Sequence, residues 1–165
     1  MPVTAWHQGG AAPTAIRPAR PDEAPHLSGL ALRAKGHWGY DAAFLERCRA
    51  ELTLTAEEIR SRPVAVYAER GRVLGFYALS LAGGRADIEH FFVEPEAIGR
   101  GIGAALWRHL RSEAVLRGIA QLAVTTDPFA EGFYLHLGFA RVGERPSGSI
   151  PGRMLPYMEM RVAAA

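Results

Sequence analysis

The stretch Ile88-Glu-His-Phe-Phe-Val-Glu-Pro-Glu-Ala-Ile-Gly-Arg-Gly-Ile-Gly-Ala-Ala-Leu106 decides the fold. It reads as a buried strand, a glycine-rich turn and the first turn of a helix. That order leaves several backbone N–H groups without intrahelical partners at a helix N-terminus, a natural cradle for phosphate. Gly99, Gly101 and Gly103 let the backbone approach an anion with no side chain between them. The spacing is G-x-G-x-G. It differs from the dinucleotide fingerprint G-x-G-x-x-G, and no Lys-Ser/Thr pair follows as in a P-loop.

Upstream, Val64–Glu69 and Arg72–Leu81 flank Arg70-Gly71 and predict a hairpin, which Gly83-Gly84 turns into the strand Ala86–Val93. Before the hairpin come a short strand at Ala15–Arg17 and a helix opened by Asp22, with Leu27, Leu30 and Ala31 at helical spacing. Lys35–Tyr40 interrupts that helix. Asp41 caps a second one through Phe44, Leu45 and Cys48, and Thr55–Glu58 has the pattern of a capping box. Downstream, the helix after Gly101 carries Ile102, Leu106, Leu110 and Ala114 on one face and stops at Gly118. A buried strand follows over Ile119–Thr125. Asp127 then caps a helix with Pro128 at its first position, and Gly138 ends it. Two last strands, Phe139–Glu144 and Met154–Val162, enclose a Pro/Gly/Ser loop. The order predicts a single α+β domain over residues 15–165, with a central mixed, mostly antiparallel sheet flanked by helices. Residues 1–14, rich in Gly, Ala and Pro, read as a mobile tail.

Composition narrows the function. The chain has 165 residues, of which 48% are hydrophobic, enough for one sizeable core. Cys48 is the sole cysteine and has no partner at metal spacing, so neither an internal disulfide nor a metal site is expected. A net charge of +2 without a basic, aromatic-interleaved run gives no support for nucleic-acid binding. No leader pattern or apolar run of membrane-spanning length is visible, which makes a cytoplasmic protein the expectation.

A second stretch, Asp127-Pro-Phe-Ala-Glu-Gly-Phe-Tyr-Leu-His-Leu-Gly-Phe139, strengthens the first. Together they resemble the signatures of the GNAT superfamily, the GCN5-related N-acetyltransferases. Val93-Glu-Pro95 and Gly101-Ile-Gly103 match the acyl-CoA-binding motif, and Ala130, Tyr134, Gly138 and Phe139 match the later one. Two positions depart. Ile98 stands where the family has Arg or Gln, and Asp127 where it has Asn. The resemblance implies an acetyl-CoA-dependent N-acetyltransferase, with the cofactor where two parallel strands splay apart near Val93 and Thr125. It implies that Phe92 and Val93 pair with the pantetheine arm, that Ile98, Gly99, Arg100, Gly101, Ile102, Gly103 and Ala104 form the cofactor loop, and that a main-chain N–H near Val93 serves the oxyanion. Arg100 then offers the phosphates the charge that Ile98 lacks. Tyr134 becomes the acid facing the sulfur, and the segment His37-Trp-Gly-Tyr40 falls where the family builds its acceptor pocket.

Residue chemistry supplies the base. Glu89 is a carboxylate in an otherwise apolar strand, so it faces a cleft or is paired. Period two sets Asp87, Glu89 and Phe91 on one face and Ile88, His90 and Phe92 on the other. Asp87 would then raise the Glu89 pKa, and His90 is a rival base. The plainer readings stay open: Tyr134 as a core tyrosine, Glu89 as a solvated or ion-paired carboxylate, His37, Trp38 and Tyr40 as a plug between helices. The expected reaction is direct attack of a small-molecule primary amine on the thioester. The alternatives are acetylation of a protein or peptide amine and a non-catalytic acyl-CoA sensor. A dinucleotide-binding oxidoreductase fits neither the glycine spacing nor the position of Glu113. Many proteins of this architecture pair as dimers, so the resemblance also admits a homodimer.

Overall fold

The computed structural model describes residues 14–163, so all but one residue of the expected tail lies outside what is described. Seven strands form one sheet in the order β1-β2-β3-β4-β5-β7-β6. They are β1 (Ala15–Pro18), β2 (Val64–Glu69), β3 (Arg72–Ala82), β4 (Arg85–Val93), β5 (Gln121–Thr125), β6 (Ala140–Pro146) and β7 (Met154–Arg161). Only β4 and β5 run parallel; every other neighbouring pair is antiparallel. A helix must cross over between parallel neighbours, and that helix is α4 (Ile102–Leu116).

The helices cover the sheet on both faces. On one side α1 (Ala24–Gly36), α2 (Ala42–Leu52) and α3 (Ala56–Ser61) pack Leu27, Leu30, Cys48 and Ile59 against Val66, Phe76 and Ala78. On the other, α4 and α5 (Glu131–Leu137) pack Ile102, Leu106, Leu110 and Tyr134 against Leu79, Ile88 and Leu122. The apolar spacing read from the sequence is the spacing of these buried faces. Gly75 is where α4 comes closest: a Cβ there would lie 3.0 Å from the Leu106 side chain and 3.0 Å from the Phe92 carbonyl oxygen. Asp41 and Thr55 cap α2 and α3 as expected, and Thr55 with Glu58 forms the reciprocal box.

One expectation about β4 fails, and the reason matters for the site. His90 pairs with Ala78 and Ile88 with Leu79, so Glu89 is the extra residue of a β-bulge. The bulge breaks period two. Ile88, Phe91 and Val93 pack on the α4 side, whereas His90 and Phe92 stack around Phe76 on the α1 side. The sequence reading had placed Ile88 with His90 and Phe92. A register shift of one residue exchanges faces, and nothing in the local sequence announces it.

Candidate active site

The parallel ladder between β4 and β5 is short: Arg85–Asp87 pair with Gln121–Ala123, and there it ends. Among the described residues β4 continues to Val93 beside β3 alone, while the chain leaves β5 after Thr125. The strands therefore splay, and a cleft of about 480 Å³ opens between them. Glu94 donates its N–H to the Leu74 carbonyl at 2.8 Å on the β3 side. Strand N–H groups alternate in direction, so that of Val93 points to the open edge.

The glycine loop closes one side of the cleft. Gly101 caps α4 with a φ of 82°, in the left-handed region that favours glycine. Among the described residues the N–H groups of Gly101–Ala104 have no backbone acceptor, because α4 begins with the Ala105 N–H bonded to the Gly101 carbonyl. A Cβ built on Gly99 or Gly101 would meet nothing within 4 Å. The space above the loop is open, so these glycines serve the backbone conformation and the approach of a ligand, not packing.

A family model of the acetyltransferase (GNAT) domain matches residues 24–160. The chain belongs to the GNAT acetyltransferase family. Solved structures agree in fold. The chain is similar to the PaiA N-acetyltransferase from Thermoplasma acidophilum, crystallised with coenzyme A, at 19% identity and a TM-score of 0.74, covering 90% of this chain and 98% of that one. It is similar to a GCN5-related N-acetyltransferase from Rhodopseudomonas palustris at 21% identity and a TM-score of 0.73, covering 92% and 98%. The ribosomal-protein-S18-alanine N-acetyltransferase from Escherichia coli aligns at 21% identity and a TM-score of 0.68, covering 92% and 96%.

This GNAT enzyme is an acetyl-CoA-dependent N-acetyltransferase, and its residues fit that acyl donor. Open backbone donors at 101–104 suit a pyrophosphate, and the unpaired edge of β4 suits an amide-bearing arm. Phe92, Val93, Ile98, Gly99, Gly101, Ile102, Gly103 and Ala104 all line the cleft. Arg100 does not. Its guanidinium bonds Glu69 at 2.7 Å, and it borders a separate shallow depression with Arg72 and Glu96.

Tyr134 and Glu89 line the same cleft. Tyr134 is 5% exposed, makes no side-chain hydrogen bond among the described residues, and keeps its hydroxyl from complete occlusion. Burial pushes its pKa well above the ordinary tyrosine range, so it stays a proton donor at neutral pH. Glu89, carried on the bulge, is exposed and lines the cleft, its carboxylate partly screened from water by the surrounding wall. Burial raises its pKa; Arg62 opposes this, and Asp87, Glu58 and Glu51 add to it. Asp87 itself pairs with Arg85 at 3.2 Å. His90 lies on the opposite side of β4 from the α4 core, 6% exposed with Nδ1 unpartnered; burial lowers its pKa to about 4. It is neutral at pH 7 and does not line the cleft.

His37 and Trp38 line the cleft, and Trp38 stacks on Phe129 with centroids 5.5 Å apart. Tyr40 sits behind that wall: it stacks on Phe44 and donates its hydroxyl hydrogen bond to Asp127 at 2.9 Å. Burial, then the Asp127 carboxylate, raises its pKa to about 12. The sequence reading did not single out Lys35, Glu51, Phe129 or Phe133, which also line the cleft. Phe129 and Phe133 were visible as apolar residues at the start of the later motif. Nothing local marks Glu51, which the loop residue Ser149 meets through a hydroxyl hydrogen bond.

Proposed function

We propose that this enzyme acetylates the primary amine of a small molecule by direct attack, with Glu89 as general base and Tyr134 as general acid. The observation that carries the reading is that these two groups, from β4 and α5, line one walled cleft whose other side is the glycine loop. Bound acetyl-CoA supplies a thioester carbon open to a nucleophile. Glu89 accepts a proton from the incoming ammonium, directly or through water, and its raised pKa brings it closer to the amine's. The Val93 N–H, aimed at the open edge, donates to the carbonyl oxygen as it gains charge. The amine nitrogen bonds to the thioester carbon and loses its second proton to water. The carbon–sulfur bond then breaks as the Tyr134 hydroxyl donates its proton to sulfur, and the tyrosinate recovers a proton from solvent.

The preference for a small acceptor is supported by the aromatic side of the cleft formed by His37, Trp38 and Phe129, with the nearby loop Ser147–Arg153 held through Ser149 to Glu51 and Arg153 to Tyr40. We further take the protein to act in the cytoplasm over a domain spanning residues 15–165, with a homodimer as one candidate assembly. No helix among the described residues is long and apolar enough to cross a membrane.

Two measurements test the reading. Calorimetric titration with acetyl-CoA, with NADH as control, should give saturable binding of the first alone. Thiol release should then appear with small primary amines. Release with peptide N-termini but no small amine would replace the acceptor, and tight acetyl-CoA binding with no acceptor of either kind would favour a sensor.

A further inference from the structure

Asp127 stands where the family carries Asn in its later motif, yet its surroundings are not those of a ligand contact. Oδ1 accepts the Phe129 N–H at 3.0 Å and Oδ2 accepts the Lys35 ammonium at 3.0 Å. The Tyr40 hydroxyl donates across both oxygens, at 3.1 and 2.9 Å. The Arg153 guanidinium lies 3.5 Å from Oδ2 and donates to the Tyr40 oxygen at 2.5 Å. These acceptor sites are occupied, and a charge here would repel a phosphate rather than hold it. The Lys35, Asp127 and Arg153 side chains are 14%, 11% and 20% exposed, so this network is largely withdrawn from water, unlike the surface ion pairs elsewhere.

The partners come from three places. Lys35 and Tyr40 flank the end of α1, Asp127 follows β5, and Arg153 ends the loop before β7. In sequence Tyr40 lies 87 residues from Asp127 and 113 from Arg153. Lys35 and Asp127 themselves line the cleft, together with His37, Trp38 and Tyr134.

We propose that Asp127 is a positioning residue that clasps these three segments together and so sets the acceptor-side wall of the cleft. It acts through Lys35, Tyr40 and Arg153 and leaves cofactor binding to the backbone. The inference rests on the amine-acetylating reading for its kinetic consequence, but its structural consequence can be read without any acceptor.

The test compares Asp127→Ala, Asp127→Asn and Tyr40→Phe with the wild-type enzyme. Amide hydrogen exchange should speed at least tenfold over 36–41 and 147–153 in Asp127→Ala, with α4 unchanged. The acceptor KM should rise about tenfold or more while kcat and the acetyl-CoA Kd move less than threefold. Asp127→Asn keeps the cap and the Tyr40 bond and should fall between. If Asp127→Ala does not fold, Tyr40→Phe, which removes one hydroxyl, should still raise the acceptor KM about threefold and loosen 147–153. A weakened acetyl-CoA Kd with an unchanged acceptor KM overturns the proposal and returns position 127 to the cofactor. Unchanged exchange in these segments overturns it as well. Faster exchange there without any amine turnover by the wild-type enzyme upholds the clasp and rejects the amine reading instead.

Discussion

The two sides of the cleft are built from different materials. The side proposed for acetyl-CoA is backbone: among the described residues it has open N–H groups at Gly101–Ala104, an unpaired strand edge ending at Val93, and Gly99 and Gly101, above which nothing lies within 4 Å. The side proposed for the acceptor is side chain: Lys35, Tyr40, Asp127 and Arg153 in one bonded network, Glu51 and Glu89 on the wall, Trp38 on Phe129. Backbone recognition survives changes in side chains. Side-chain recognition is where one member of the family can differ from another. A substitution on the first side should therefore act on acetyl-CoA, and one on the second should act on the acceptor.

The largest effect should come from Gly101→Asp. The residue holds φ at 82°, where a side chain is strained, and its carboxylate would enter the space meant for phosphate. Acetyl-CoA binding should weaken at least a hundredfold by calorimetry while the acceptor-side residues keep their amide exchange rates. Normal binding would mean that the anion cradle lies elsewhere. Next comes Tyr134→Phe, at the junction of the two sides. The ring is buried among Phe133 and Phe139, so phenylalanine keeps the packing and removes only the hydroxyl. We expect kcat to fall about a hundredfold, consistent with loss of a general acid, with the acetyl-CoA Kd unchanged. An unaltered kcat would remove Tyr134 from the chemistry.

Glu89→Gln probes the acceptor side through pH. A base works when deprotonated, so the acid limb of kcat/KM should follow the Glu89 pKa, which burial raises above the ordinary carboxylate value of about 4.3. The variant should lose about tenfold at neutral pH or above, and little below the limb, where the wild-type carboxyl is already protonated. Stability should move the other way. A carboxyl whose folded pKa is raised costs stability once pH exceeds its unfolded value, and that cost is complete above the folded value. Glutamine escapes it, so Tm at neutral pH should rise slightly. A wild-type pH profile, or a lower Tm, would mark Glu89 as a structural group.

The same contrast explains what the sequence revealed. Backbone features are local: β4, the glycine loop and α4 are contiguous, so strand pattern, Gly99, Gly101, Gly103 and the apolar spacing of α4 could be read in order. The helix caps at Asp41 and Thr55 were legible for the same reason. The clasp was not, because its bonded partners lie as much as 113 residues apart and its members look ordinary alone: a surface lysine, a capping aspartate, a loop arginine. The bulge at Glu89 was hidden too. It depends on which residue of β3 meets His90, and alternation along β4 by itself predicts an unbroken strand.

The smallest effect is expected where the sequence invited a large one. Arg100 sits within the glycine loop, and charge complementarity alone would assign it to the phosphates. Its guanidinium instead bonds Glu69 in the β2–β3 hairpin, on the outside of the loop and away from the cleft lining. An exposed pair of this kind contributes little to stability and is screened by salt. Arg100→Ala should therefore change the acetyl-CoA Kd less than threefold and leave its dependence on salt concentration as in the wild type. If Arg100 left Glu69 to meet a phosphate, the variant would bind at least tenfold more weakly and lose part of that salt dependence. The anion site would then need a side-chain charge, and the division between a backbone-built cofactor side and a side-chain-built acceptor side would no longer hold.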